Sequence, residues 1–173
     1  MNEYGRVIEP GTVRFERVLS GPIEKVWAHL VDAELRGTWL ATGPMEPREG
    51  GKVDLHFRHA DLTPHAELTP EKYRGIEGGH TVSGRITRWD PPRLPAYTWE
   101  GNSEVTFELT PSGDDVRLTL MHRRLANRDE TIEVSGGGHA HLGFLEERLR
   151  GETPRPFWPR FEKLAREYQA RIR

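Results

Sequence analysis

Cysteine is absent from the 173 residues, which removes disulfides, thiol nucleophiles and thiolate metal sites together. Long apolar runs are missing too: hydrophobic residues make up 35% of the chain, and no stretch approaches the roughly 20 apolar residues of a membrane span. The start, Met1-Asn2-Glu3-Tyr4-Gly5-Arg6, lacks the apolar centre of a secretory signal, so a cytoplasmic protein is expected. Charge of one sign does not dominate. With 25 basic and 27 acidic residues the net is −2, too little to create a field for nucleic acid or an anionic membrane. The basic clusters Arg123-Arg124 and Arg171 to Arg173 have no interleaved aromatics of the kind a nucleic-acid groove uses. No Gly-x-Ser-x-Gly elbow occurs, and the triplet Gly136-Gly137-Gly138 lacks the spacing of a phosphate or dinucleotide loop. Internal repeats and low-complexity segments are also lacking.

What is present is periodicity. A chain of this length buries roughly 70% of its unfolded surface, and a single domain, 1–173, is expected, with a core over about 12–150 and an appended helix over about 156–172. Thr12 to Val18 alternates as a strand, and Ser20 or Gly21 is the expected cap of a helix with Pro22 at its first helical position. Ile23, Val26, Trp27, Leu30 and Val31 share that helix's apolar face, and a second short helix carries Leu35 toward Trp39. After the hairpin signal Gly50-Gly51, Val53, Leu55 and Phe57 alternate with polar residues. Residues 59–79 have no period and form the longest loop, of a length that often lines a site. Strands follow over 82–89, 94–99, 105–109 and 116–122, with connections too short for crossovers, so they form an antiparallel meander. The glycine triplet reads as a breaker, with a helix after it carrying Leu142, Leu145 and Leu149 and ending at Gly151. The terminal helix places Phe157, Phe161, Leu164, Ala165, Tyr168 and Ile172 on one stripe. The order implies an α+β fold.

Together these residues resemble a known superfamily. The opening strand, Pro22 with Val26-Trp27, Trp39, Gly50-Gly51, the run Asp90-Pro91-Pro92-Arg93-Leu94 with Tyr97-Thr98-Trp99, and His139-Ala140-His141-Leu142 before Leu145-Glu146 are similar to the SRPBCC superfamily. The branch resembled is the C-terminal domain of the ninety-kilodalton heat-shock protein ATPase activator, over about 12–172. The resemblance implies a helix-grip fold: a curved antiparallel sheet of six to seven strands wrapped around a long C-terminal helix, with a hydrophobic cavity between them. Gly138 and Gly143 depart from the branch, which usually has Trp and Asp there. Losing the indole at Gly138 should enlarge the cavity or delay the helix start, whereas Gly143 has no explanation in the sequence.

Candidate ligand contacts are Trp39, Phe57, Trp99, Phe107, Leu120, His122, Gly138, His141, Leu142 and Leu145. Parity turns His122 inward with Leu118 and Leu120, either as a ligand-orienting or acid–base group or, as the simpler expectation, bonded to backbone near Arg123. His141 is expected in core packing beside the cavity. No metal site and no cofactor are expected, because neither His139 with His141 nor His56 with His59 has chelating spacing. The leading function is binding of a small apolar or amphipathic molecule. The alternatives are a chaperone-interaction module and a cyclase- or hydrolase-like enzyme using His122. Partners such as nucleic acid and an inserted membrane are not expected. For the terminal helix, packing on its own domain is the simpler reading, with the outer side of the sheet or the first helix as places for it, and a homodimer contact the sharper one.

Overall fold

The computed structural model describes residues 3–173. Seven strands form one antiparallel sheet: β1 (Arg6–Glu9), β2 (Thr12–Ser20), β3 (Lys52–Phe57), β4 (His80–Asp90), β5 (Leu94–Thr98), β6 (Glu104–Ser112) and β7 (Asp115–Arg123), in the order β1-β2-β7-β6-β5-β4-β3. Period-two alternation sets which side chains face inward. Val13 and Phe15 of β2 sit opposite His122 and Leu120 of β7, and Val105 and Phe107 of β6 oppose the same two residues from the other side. β1 was not legible in the sequence because Val7 and Ile8 are adjacent and all four of its residues are exposed.

Two short helices follow β2. α1 (Ile23–Val31) starts after Pro22, which occupies the cap position without a side-chain hydrogen bond. The cap therefore lies one residue beyond Gly21. α2 (Ala33–Arg36) is capped by Asp32, which accepts from the Leu35 amide at 2.9 Å. The segment after it delivers Trp39, whose indole N–H donates to the His29 carbonyl at 2.7 Å.

The gripped helix, α3 (Arg128–Leu149), starts ahead of the glycine triplet instead of after it, and runs unbroken through Gly136-Gly137-Gly138. Asn127 caps it by accepting from the Glu130 amide at 2.9 Å. The glycines do not end the helix because tertiary packing uses the missing side chains of Gly136 and Gly138. A Cβ at Gly136 would lie 3.4 Å from Cα of Ala165 in α4 (Phe157–Arg171), the terminal helix. Gly143 has a similar role: a Cβ there would come within 2.8 Å of Arg160 Nη1, whose guanidinium lies over Phe144 and pairs with Glu147 at 2.6 Å.

α4 packs antiparallel on α3, not on the outer face of the sheet or on α1. Arg128 at the start of α3 donates to the carbonyls of Gln169 and Ile172 at the end of α4. Phe157, Trp158, Phe161, Leu164 and Tyr168 are all buried by this packing. The stripe that argued for a homodimer is thus covered within the chain. Residues 59–79 hold two short 3-10 turns, and Tyr73 stacks on Trp158 with ring centres 4.9 Å apart. Among the described residues no helix is long and apolar enough to cross a membrane.

Candidate functional site

Sheet and α3 touch closely at one end and part at the other. At the closed end Arg17 of β2 reaches Glu146 of α3 at 2.7 Å, with the arginine side chain 5% exposed. Toward the start of α3 the two diverge and leave a cavity of about 450 Å³, within the size range of small-molecule sites. Phe15, Phe57, Val82, Val105, Phe107 and Leu120 supply its sheet wall. Val134, Gly137, Gly138, His141 and Leu142 supply the helix wall, and Trp39, Leu40 and Trp99 come from the connecting segments.

Nine of the ten residues expected at the ligand line this space: Trp39, Phe57, Trp99, Phe107, Leu120, His122, Gly138, His141 and Leu142. Leu145 does not. It is fully buried one turn beyond Leu142, beside the Arg17–Glu146 contact, where the helix has already met the sheet and no lumen remains. At Gly138 the helix start is not delayed. A Cβ there would lie 3.2 Å from the Phe15 ring, so Phe15 occupies part of the room that an indole would otherwise take.

His122 faces inward as its parity requires, but its partner is not backbone near Arg123. Its Nε2 lies 3.0 Å from Ser103 Oγ on the β5–β6 turn, and that hydroxyl donates to the Glu100 carbonyl at 2.9 Å. His141 Nδ1 donates to the Trp39 carbonyl at 2.8 Å, tying α3 to the segment after α2. Burial pushes both imidazoles down to about 4, in His141 against the opposing pull of the Trp39 bond. Both are therefore neutral at pH 7.

Sequence reasoning missed two further histidines and the acidic groups. His80 shares the inward parity of Val82 on β4 and stacks on Phe57 at 5.0 Å, a signal that strand alternation could have supplied. Its Nδ1 is buried without a protein hydrogen bond. His59 sits in a 3-10 turn with no period to reveal it; burial, followed by the neighbouring His141 and His80, pushes it down to about 3. Glu100, Asp129, Glu130 and Glu133 complete the lining, with Glu100 and Asp129 exposed at the rim. The other histidines point elsewhere. His139 Nδ1 lies 2.8 Å from the Tyr168 hydroxyl, and exposed His56 bonds Thr81 Oγ1. Among the described residues no group of three or more His, Cys, Asp or Glu is arranged to hold a metal ion.

Known proteins share this outline. Residues 20–150 match the profile of the family described as activator of Hsp90 ATPase homolog 1-like protein. The solution structure of the protein encoded by gene BPP1335 of Bordetella parapertussis is 41% identical, with 99% of this chain and 91% of that chain covered and a TM-score of 0.83. Crystalline CalU16 of Micromonospora echinospora is 24% identical over 96% of this chain and 93% of its own, with a TM-score of 0.68. A conserved Enterococcus faecalis protein of unknown function, EF2215, shares 15% identity over 96% and 88%, also with a TM-score of 0.68. The last two show the fold alone. No curated protein matches.

Proposed function

Because the chain belongs to the family of activator of Hsp90 ATPase homolog 1-like proteins, within the SRPBCC superfamily whose fold commonly holds hydrophobic ligands, we propose that it binds a small apolar or amphipathic molecule between its sheet and α3. The observation that carries this reading is the 450 Å³ cavity itself. Protein interiors are otherwise close-packed, and an unfilled apolar chamber of this size forgoes contacts that a ligand would restore. The aromatic wall suits a flat or acyl body, with Trp99, Phe57 and Phe107 as its contact surface and His122 and His141 as its polar contacts. Residues 12–150 would form the binding unit within one domain, with α4 covering the back of α3.

Native mass spectrometry of the protein purified from its own host tests the reading. A mass above that of the chain, lost on denaturation, is the expected result. Leu120→Trp, which fills the lumen from β7, should abolish the adduct while the protein remains folded by circular dichroism. Recovery of the bare chain mass from the wild type, together with failure to take up an environment-sensitive apolar dye, would overturn it.

A further inference from the structure

The polar groups of the chamber are biased in one direction, and this bias specifies the head group of its ligand. Four carboxylates belong to the lining, and no lysine or arginine does. Glu133 is engaged by Lys72 Nζ at 2.6 Å and by the Tyr73 hydroxyl at 2.7 Å, and Glu130 accepts from the Ala126 amide. Among the described residues the side chains of Glu100 and Asp129 have no partner, and they stand exposed at the rim, on the β5–β6 turn and the first turn of α3.

A second, independent observation lies deeper. The hydroxyl proton of Ser103 goes to the Glu100 carbonyl, so the His122–Ser103 bond must carry its proton on Nε2. That leaves His122 Nδ1 as a bare lone pair with no protein partner. His141 donates from Nδ1 to the Trp39 carbonyl, which leaves its Nε2 bare in the same way. The two residues are 5% and 8% exposed, and both line the lumen. Acceptors that face an apolar lumen favour a ligand that donates to them, and no donor to either nitrogen is found among the described residues. Because burial keeps both rings neutral, neither offers positive charge to an anion. The dipole at the start of α3 does not favour an anion either, because Asn127 occupies the Glu130 amide there and Asp129 and Glu130 place negative charge on the same turn.

We infer that the ligand of this chamber is an amphiphile with a cationic, hydrogen-donating head, such as a protonated amine on an apolar body, and that carboxylate amphiphiles of the fatty-acid type are rejected. The inference rests on the cavity-binding reading above. An ammonium at the rim meets Glu100 and Asp129, with the exposed part of the Trp99 ring available to the cation. A carboxylate there would lose hydration against like charge.

Calorimetric titration of the full chain at pH 7.5 with decylamine, decanol and decanoate, each below its micelle concentration, tests the inference. Decylamine should bind about tenfold or more tighter than decanoate, with decanol between them, and added salt should narrow the gap. The double variant Glu100→Gln, Asp129→Asn removes two exposed, unpartnered carboxylates. It should bring decylamine and decanoate within about threefold of each other and leave decanol unchanged. Decanoate binding as tightly as decylamine, or a preference unmoved in the double variant, overturns the cationic head group while the cavity reading stands. Failure of all three probes overturns the cavity reading itself, and the head-group inference with it.

Discussion

Arg36 is a fully buried arginine whose hydrogen bonds go to backbone carbonyls and not, among the described residues, to a carboxylate. Its Nε donates to the Ala41 carbonyl at 3.0 Å, Nη1 to Val31 at 3.3 Å and Nη2 to Gly43 at 2.6 Å. One backbone acceptor at the end of α1 and two in the turn after α2 thereby find donors, and that turn is what sets Trp39 against the cavity. Burial lowers the guanidinium pKa from its usual value, yet arginine remains charged because its starting value is so high. Arg36→Met should leave the three carbonyls unsatisfied and destabilise the fold by about 3 kcal/mol. Arg36→Lys should recover only part of that, since a single ammonium cannot copy the planar fork. Urea unfolding checks this, with a lower midpoint and an unchanged slope as the expected outcome. Nothing in the sequence marked Arg36. An arginine in a four-residue helix reads as a solvated residue, and only the path of the following turn buries it. His122 is the opposite case: strand parity alone turned it inward, although its Ser103 partner depended on a turn geometry that no periodicity encodes.

At the scale of elements, the glycine triplet in α3 shows how packing overrides local preference. Glycine costs a helix interior about 1 kcal/mol relative to alanine, and three in succession read as a break; the helix nevertheless continues because Gly136 lets α4 approach and Gly138 accommodates Phe15. Gly137 and Gly136 therefore predict opposite responses. A Cβ at Gly137 meets nothing nearer than 3.9 Å, so Gly137→Ala should raise stability by about 0.5–1 kcal/mol through helix propensity. Gly136→Leu would force the α3–α4 contact apart and should cost about 2 kcal/mol by overpacking. Thermal melts of the two variants give the test: a higher midpoint for the first and a lower one for the second. The strands were legible because alternation and burial coincide on β3, β6 and β7. The cavity's walls were legible on the same ground, whereas its acidic rim was not, since Glu100 and the first turn of α3 meet only through the curvature of the whole sheet.

For the molecule as a whole, the buried histidines tie stability to pH. Burial pushes His122, His139 and His141 down to about 4 and His59 to about 3, from an ordinary 6.5. Between those values the unfolded chain binds protons that the folded chain refuses, so stability must rise with pH across the interval. It is fully present above 6.5, declines as pH falls toward 4, and loses little more through these groups once the folded rings are themselves protonated. Half-buried carboxyls act in the opposite sense. Glu146 and Glu67 are raised by burial, which favours the folded state at low pH and is lost as pH rises through their folded values, from 4.5 upward. The histidine effect is therefore cleanest just below 6.5. For His122, more than nine-tenths buried, a shift of this size corresponds to about 3 kcal/mol over the full interval. Denaturant midpoints measured at about pH 7.5, 6.5 and 5.5 should fall modestly between the first two, where the unfolded histidines become half protonated, and more steeply to the third. In His122→Phe, which keeps an apolar ring in the same wall without a titrating nitrogen, the fall from about 6.5 to 5.5 should be shallower. An equal fall in variant and wild type would place the proton uptake elsewhere and would mean that His122 is solvated instead of facing a dry chamber.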